Sequence, residues 1–306
     1  MSNNSNTENG CSSSGSACKG CSSSATCGSK NTDSAAPGSA IRHTIVVMSG
    51  KGGVGKSTVA VNLAVALSAE GYRTGLLDID IHGPSIPTML RLQHERTQSE
   101  DKKILPIELG DLKVMSIGFL LENHNDAIIW RGPMKHGVIG QFITDVKWGE
   151  LDYLIVDAPP GTGDEPLSIF QQIEGRKSAL IVTTPQEVAA ADVRKSINFC
   201  RQLGVEISGI IENMSGFVCP SCNCRTEIFS SGGGEKTADE FNVNFLGSLP
   251  IEPGIGTSCD KGTPYVVAYA KTVTSQLFKQ IVERLVEEAK HDHGGESAAQ
   301  TTGERA

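Results

Sequence analysis

The chain has 306 residues, 38% of them hydrophobic and 20% charged, and a formal net charge of −8. This composition fits a globular protein of one large or two ordinary domains, and the acidic balance argues against nonspecific binding to nucleic acid or to an anionic membrane surface. No run reaches the ~18 apolar residues of a membrane span, and the Ser/Asn-rich start lacks the apolar core of a signal peptide, so a cytoplasmic protein is expected.

Residues 1–40 hold scarcely a large apolar side chain and cannot bury enough surface to fold alone. They nevertheless carry Cys11, Cys18, Cys21 and Cys27. A reducing compartment disfavours disulfides, so four clustered thiols read as metal ligands. Bound metal would supply the missing folding energy. Zn²⁺ and an iron–sulfur cluster both accept four cysteines, and spacing does not choose between them.

From Ile41 the pattern changes to alternating strands and helices. An apolar run, His43–Met48, leads into Gly50-Lys51-Gly52-Gly53-Val54-Gly55-Lys56-Ser57-Thr58, and a helix-like run, Val59–Leu67, follows. Strand, glycine loop, helix is the context of a phosphate-binding loop. Glycines let successive N–H groups face one concavity, and the helix adds its positive end. Lys56 is placed to reach the β- and γ-phosphates of ATP and Ser57 to ligate Mg²⁺. Lys51 is a second lysine that the loop's own nucleotide does not need. It can reach toward a nucleotide held by a partner.

Arg73–Asp80 reads as a second buried strand ending in acids, Asp78 and Asp80. Acids at the end of a parallel strand lie beside the nucleotide crevice. His82 reads as an exposed loop residue. The segments 104–107 and 112–117 are expected to form a small hairpin around Gly110-Asp111. A helix is expected from Trp130-Arg131-Gly132-Pro133 to about Trp148, with Val138, Ile139, Phe142, Ile143 and Val146 facing the core. Leu151–Asp157 is a third strand, and its terminal Asp157 has the Walker B position for the Mg²⁺ shell. Asp164 reads as the cap of a short helix. Two strand–helix pairs follow, the second strand ending at Glu212-Asn213. Asn213 reads either as a reader of the adenine edge or as a turn cap.

Cys219-Pro220-Ser221-Cys222 comes next, with Cys224 close behind. Two thiolates are half a tetrahedral site, so either another chain supplies the rest or the pair is redox-active. Its place on a loop disfavours the redox reading, because such pairs open a helix in a thioredoxin-like unit. Cys200 and Cys259 stand alone and read as small buried residues. A last strand spans 245–250. A closing helix reaches about Lys290, with Val273, Leu277, Phe278, Ile281 and Leu285 inward. Residues 291–306 read as a disordered tail.

The loop GKGGVGKST resembles the deviant Walker A family of dimerising ATPases. Together with DIDIHGPS, WRGP, DAPPGTGD and NMSGFVCPSC, in that order, the chain from 41 to 290 resembles the Mrp/ApbC-type iron–sulfur cluster carriers. The four-cysteine segment resembles the arm of their eukaryotic cytosolic scaffold version, which has a longer gap between its first two cysteines. The resemblance implies a doubly wound α/β P-loop domain (MinD-like) with a mainly parallel sheet. It implies a homodimer in which Lys51 crosses the interface, Asp80 positions the attacking water and Asn213 binds the base. Asp78 then holds either the Mg²⁺-bound water or the loop. Cys219 and Cys222 hold a cluster, expected to be [4Fe–4S], for delivery to apo iron–sulfur proteins, with no nucleic-acid or membrane partner. A positioning or partition ATPase is the alternative class, opposed by the acidic charge and the cysteine pair. A zinc-stabilised regulatory module is a third.

Overall fold

The computed structural model describes residues 41–80, 83–120, 132–219, 221–222 and 224–295. Cys11, Cys18, Cys21, Cys27, His82, Trp130 and Arg131 lie outside the described residues.

In chain order the elements are β1 (Ile41–Met48), α1 (Lys56–Ala69), β2 (Thr74–Asp78), α2 (Ile86–Met89), β3 (Ser99–Glu100), β4 (Lys103–Ile104), β5 (Ile107–Leu109) and β6 (Leu112–Ser116). Then come α3 (Gly132–Thr144), β7 (Leu151–Asp157), α4 (Asp164–Gln172), β8 (Lys177–Thr183), α5 (Glu187–Gln202), β9 (Glu206–Glu212), β10 (Phe217–Val218) and β11 (Arg225–Thr226). The chain closes with α6 (Gly233–Phe241), β12 (Phe245–Ser248), α7 (Pro253–Lys261), α8 (Tyr265–Ala268) and α9 (Val273–Gly295).

The main sheet has the order β12-β9-β8-β1-β7-β2-β6-β5 and is parallel except for β5. Helices cover both faces of such a sheet, so its strands carry continuous apolar runs. Every residue of β2 is buried, as are the last six of β1. Helix α1 packs on β2 and β7 and against α8 and α9. It is therefore apolar almost all round, with Val59, Val61, Leu63 and Leu67 all buried. Because β7 inserts between β1 and β2, Asp157 pairs in register with both Val47 and Asp78. That insertion brings the phosphate loop and both acidic strand ends to one edge of the sheet.

Several expectations need correction. The expected hairpin is formed by β5 and β6 around Gly110, but β6 also joins the main sheet beside β2, and Ile104 belongs to a separate pair with β3. Helix α3 ends at Thr144, leaving buried Val146 and Trp148 on the loop into β7. Gly163 caps α4, so Asp164 is its first helical residue and acts on the helix dipole instead. Helix α9 continues to Gly295, five residues past the expected end. Val273, at its first turn, is 71% exposed rather than core, while Phe278, Ile281 and Leu285 are buried as expected. Among the described residues no helix is long and apolar enough to cross a membrane.

Candidate nucleotide site and cysteine loop

The loop between β1 and α1 is built on two left-handed glycines, Gly53 at φ 80° and Gly55 at φ 82°. Gly55 is the N-terminal cap of α1, so the helix's unpaired N–H groups open directly onto the loop. A Cβ at Gly55 would also overlap the Asn213 amide. Glycine is thus required there by conformation and by space. A cleft of about 220 Å³ is lined by Ser49, Gly52, Gly53, Gly55, Lys56, Ser57, Thr58, Asp80, Ser85, Met89 and Pro160. A larger concavity of about 600 Å³ beside β5 includes Lys113 and Lys147, but these are committed to the Trp148 carbonyl and to Glu100.

The Lys56 side chain is 7% exposed and its ammonium donates to Asp157 Oδ1. Asp157 is fully buried, and its Oδ2 has no hydrogen-bond partner. Burial raises the Asp157 pKa, with Lys56 and then Ser57 pulling the other way. Burial, then the charge of Asp157, also pushes the Asp78 carboxyl above the ordinary carboxylate range. Asp78 Oδ1 accepts from the Asp80 N–H at 3.1 Å, and Oδ2 accepts from the Ser116 hydroxyl at 3.0 Å. Of the two roles open to Asp78, this geometry favours holding the loop that carries Asp80. Asp80 itself lines the cleft.

Lys51 lies outside the cleft lining, and its Nζ donates to Gln186 Oε1 at 3.4 Å. Asn213 is nearly buried, and its Nδ2 donates to the Val54 carbonyl at 2.8 Å, so this residue braces the phosphate loop. Sequence reading missed Ser116 and Gln186. Each is a small polar group whose only signal was its place at or just after a strand end.

Five residues past Glu212 the chain enters a hairpin of β10 and β11. The Cys219 N–H donates to the Cys224 carbonyl at 3.0 Å and closes it. Cys219 is half-buried, while Cys222 and Cys224 are exposed. The N–H groups of Ser221 and Cys222 turn toward the Cys219 sulfur and lower its pKa. Such stabilisation favours the thiolate, the form that ligates metal. Cys200 is buried with its Sγ 3.6 Å from Met48 Sδ, and burial pushes its thiol up to about 12. Cys259 is half-buried on α7 beside the Thr58 hydroxyl, and burial raises its pKa as well. Among the described residues no three or more His, Cys, Asp and Glu side chains group to hold a metal ion.

The family model for NUBPL iron-transfer P-loop NTPases, of the ParA group, matches residues 40–286. The chain belongs to this family. It is similar to an iron–sulfur cluster carrier protein of Methanocaldococcus jannaschii, with 53% identity over 82% of this chain and 87% of the relative. It is also similar to the cytosolic Fe-S cluster assembly factor NUBP2 of Rattus norvegicus, with 45% identity over 80% of this chain and 93% of the relative. A nucleotide-binding protein of Archaeoglobus fulgidus, solved in complex with ADP, superimposes with a TM-score of 0.67 at 40% identity, covering 78% of this chain and 92% of the other. The phosphate loop, the buried Lys56–Asp157 pair and the thiol hairpin all lie within the matched span.

Proposed function

We propose that this family member is a homodimeric ATPase of the cytoplasm that carries an iron–sulfur cluster and delivers it to apo iron–sulfur proteins. The observation that carries the proposal is the Cys219–Cys222 hairpin, which leaves the sheet directly after Asn213, the residue that braces the phosphate loop. Nucleotide chemistry and cargo thiols thus share one strand end.

ATP is the substrate of the loop Gly50–Thr58, whose N–H groups and Lys56 take the phosphates, with Asn213 beside the base. The residues fit Mg²⁺, because the buried Asp157 Oδ2 lacks a partner and Ser57 lines the nucleotide cleft. Ser57 and Asp157 would hold the ion, which when bound neutralises developing phosphate charge. Asp78 fixes the loop backbone so that Asp80 faces the cleft and orients the attacking water. Lys51 leaves Gln186 to reach the γ-phosphate of the partner subunit's nucleotide.

The cargo is a [4Fe–4S] cluster held by Cys219 and Cys222 of each of two subunits. A two-fold axis presents the same loop twice and supplies four thiolates. Cys11, Cys18, Cys21 and Cys27 form a second metal centre on residues 1–40. The test is transfer. Cluster-loaded protein mixed with an apo-ferredoxin should load it faster with MgATP than without, and the Lys56→Ala protein should lose that acceleration. Equal transfer with and without ATP in the parent protein would refute the coupling.

A further inference from the structure

Glu212 is the last residue of β9 and is fully buried. Among the described residues no Lys or Arg hydrogen-bonds or ion-pairs with it. Its Oε1 accepts from the Ser215 hydroxyl at 2.7 Å and from the Gly232 N–H at 3.2 Å, and its Oε2 accepts from the Gly234 N–H at 2.6 Å. A carboxyl group removed from water is costly unless its oxygens are satisfied, so these three donors are tightly held. They belong to two different segments. Gly232 and Gly234 open α6, while Ser215 is the stem of the thiol hairpin, four residues before Cys219.

One segment touches the nucleotide loop, and the other touches the residue before a support of it. On one side, Asn213 binds the Val54 carbonyl and Met214 packs over Gly55. Met214 sits at φ 59°, a left-handed conformation that non-glycine residues rarely adopt, so the turn from Asn213 to Ser215 is tight. On the other side, a Cβ at Gly233 would lie 2.5 Å from the Pro185 carbonyl, and Ser230 Oγ donates to that same carbonyl at 2.7 Å. Pro185 precedes Gln186, which holds Lys51. One buried carboxyl group therefore ties the cysteine-loop stem to two supports of the phosphate loop.

We infer that Glu212 is a positioning residue that couples nucleotide occupancy to the geometry of the cysteine loop, acting through Ser215. Capping of α6 accounts for the Gly232 and Gly234 bonds, whereas the Ser215 bond links the same carboxyl group to the stem of the cysteine loop. The coupling rests on the carrier reading for its biological use, although its contacts do not depend on a bound cluster. Displacement of the Val54–Asn213 contact by nucleotide shifts the Asn213–Ser215 turn. The Glu212–Ser215 bond then passes that shift to the N–H groups around Cys219 instead of letting the turn absorb it.

The test uses the full chain, reduced and free of iron. Alkylation of Cys219 by iodoacetamide is followed by peptide-resolved mass spectrometry, with and without saturating MgADP. In the parent protein MgADP should change the Cys219 rate at least threefold. Ser215→Ala, which spares the α6 contacts and is therefore expected to fold, should reduce that change to less than about 1.5-fold while keeping MgADP affinity within threefold. An unchanged nucleotide response in Ser215→Ala, or no response in the parent, overturns the inference. A missing thiol response with normal cluster loading sinks this inference alone. Failed cluster loading with an intact thiol response sinks the carrier reading alone.

Discussion

Replacing Lys56 by Ala should cost stability as well as catalysis, and a second substitution should return the stability alone. The Lys56 side chain is 7% exposed and Asp157 is not exposed at all. Asp157 Oδ2 has no other partner, and Asp78 adds a second buried carboxyl in register on the next strand. Deleting the ammonium leaves two acidic groups facing each other with no cation between them. Removing one partner of a buried pair costs about 3–5 kcal/mol. Asp157→Asn added to Lys56→Ala removes the uncompensated charge and should recover all but about 1–2 kcal/mol, which is the residual cost of an imperfectly bonded buried amide. Urea unfolding of parent, both single variants and the double variant, in EDTA without nucleotide, closes the cycle. Asp157→Asn alone leaves the buried ammonium unpaired and costs a similar amount, about 3–5 kcal/mol, so the expected coupling energy is at least about 4 kcal/mol. ATP hydrolysis should stay absent in all three variants. Additive losses in the double variant would refute the claim that this pair neutralises the strand ends.

Lys51→Ala should abolish ATP turnover while retaining nucleotide binding; parent-like turnover would remove the cross-interface role. The side chain of Asp152 at the start of β7 accepts from Arg73 Nε at 3.1 Å, from its backbone N–H at 3.0 Å and from its NH2 group at 3.1 Å, and Arg42 approaches it as well. Those bonds hold its pKa below the ordinary Asp value. Its stabilisation is therefore present above the unfolded pKa of about 3.9 and is lost as pH falls through the lower folded value. Asp152→Asn should lower Tm at pH 7, and the gap to the parent should narrow through pH 4 and below; a gap that is constant with pH would contradict the assignment. In a Cys219→Ala/Cys222→Ala chain, iron that remains bound after reconstitution should disappear when residues 1–40 are removed. Uptake of Zn²⁺ alone would make that segment a structural zinc arm.

The phosphate loop with Lys56, the two strands that end in Asp78 and Asp157, and the thiol pair were legible because each signal lies within about ten residues. Apolar runs ending in glycine or an acid need no knowledge of the fold. What stayed hidden depends on sheet order. Lys56 and Asp157 are 101 residues apart, and only the insertion of β7 between β1 and β2 brings them together. Ser116 meets Asp78 because β6 pairs with β2, and Gln186 meets Lys51 because β8 pairs with β1. Hairpin patterning around Gly110 was read correctly, yet an alternating strand pattern does not say that β6 will also pair with β2. Val273 kept the helical spacing of the core residues, but it is the first residue of α9 and faces solvent, while Thr274 and Ser275 beside it take the buried side. Glu212 passed unnoticed because a lone glutamate at a strand end carries no motif; its meaning comes from donors in two later segments.

The central claim is that two copies of one hairpin hold one cluster. The most direct measurement is an iron and sulfide count, with the anaerobic visible spectrum and the mass in solution, on protein lacking residues 1–40 after reconstitution. The account predicts a dimer with four iron and four sulfide, lost in Cys219→Ala and in Cys222→Ala and kept in Cys224→Ala. A full cluster in a protein that remains monomeric, or one that survives both of the first two substitutions, would contradict it.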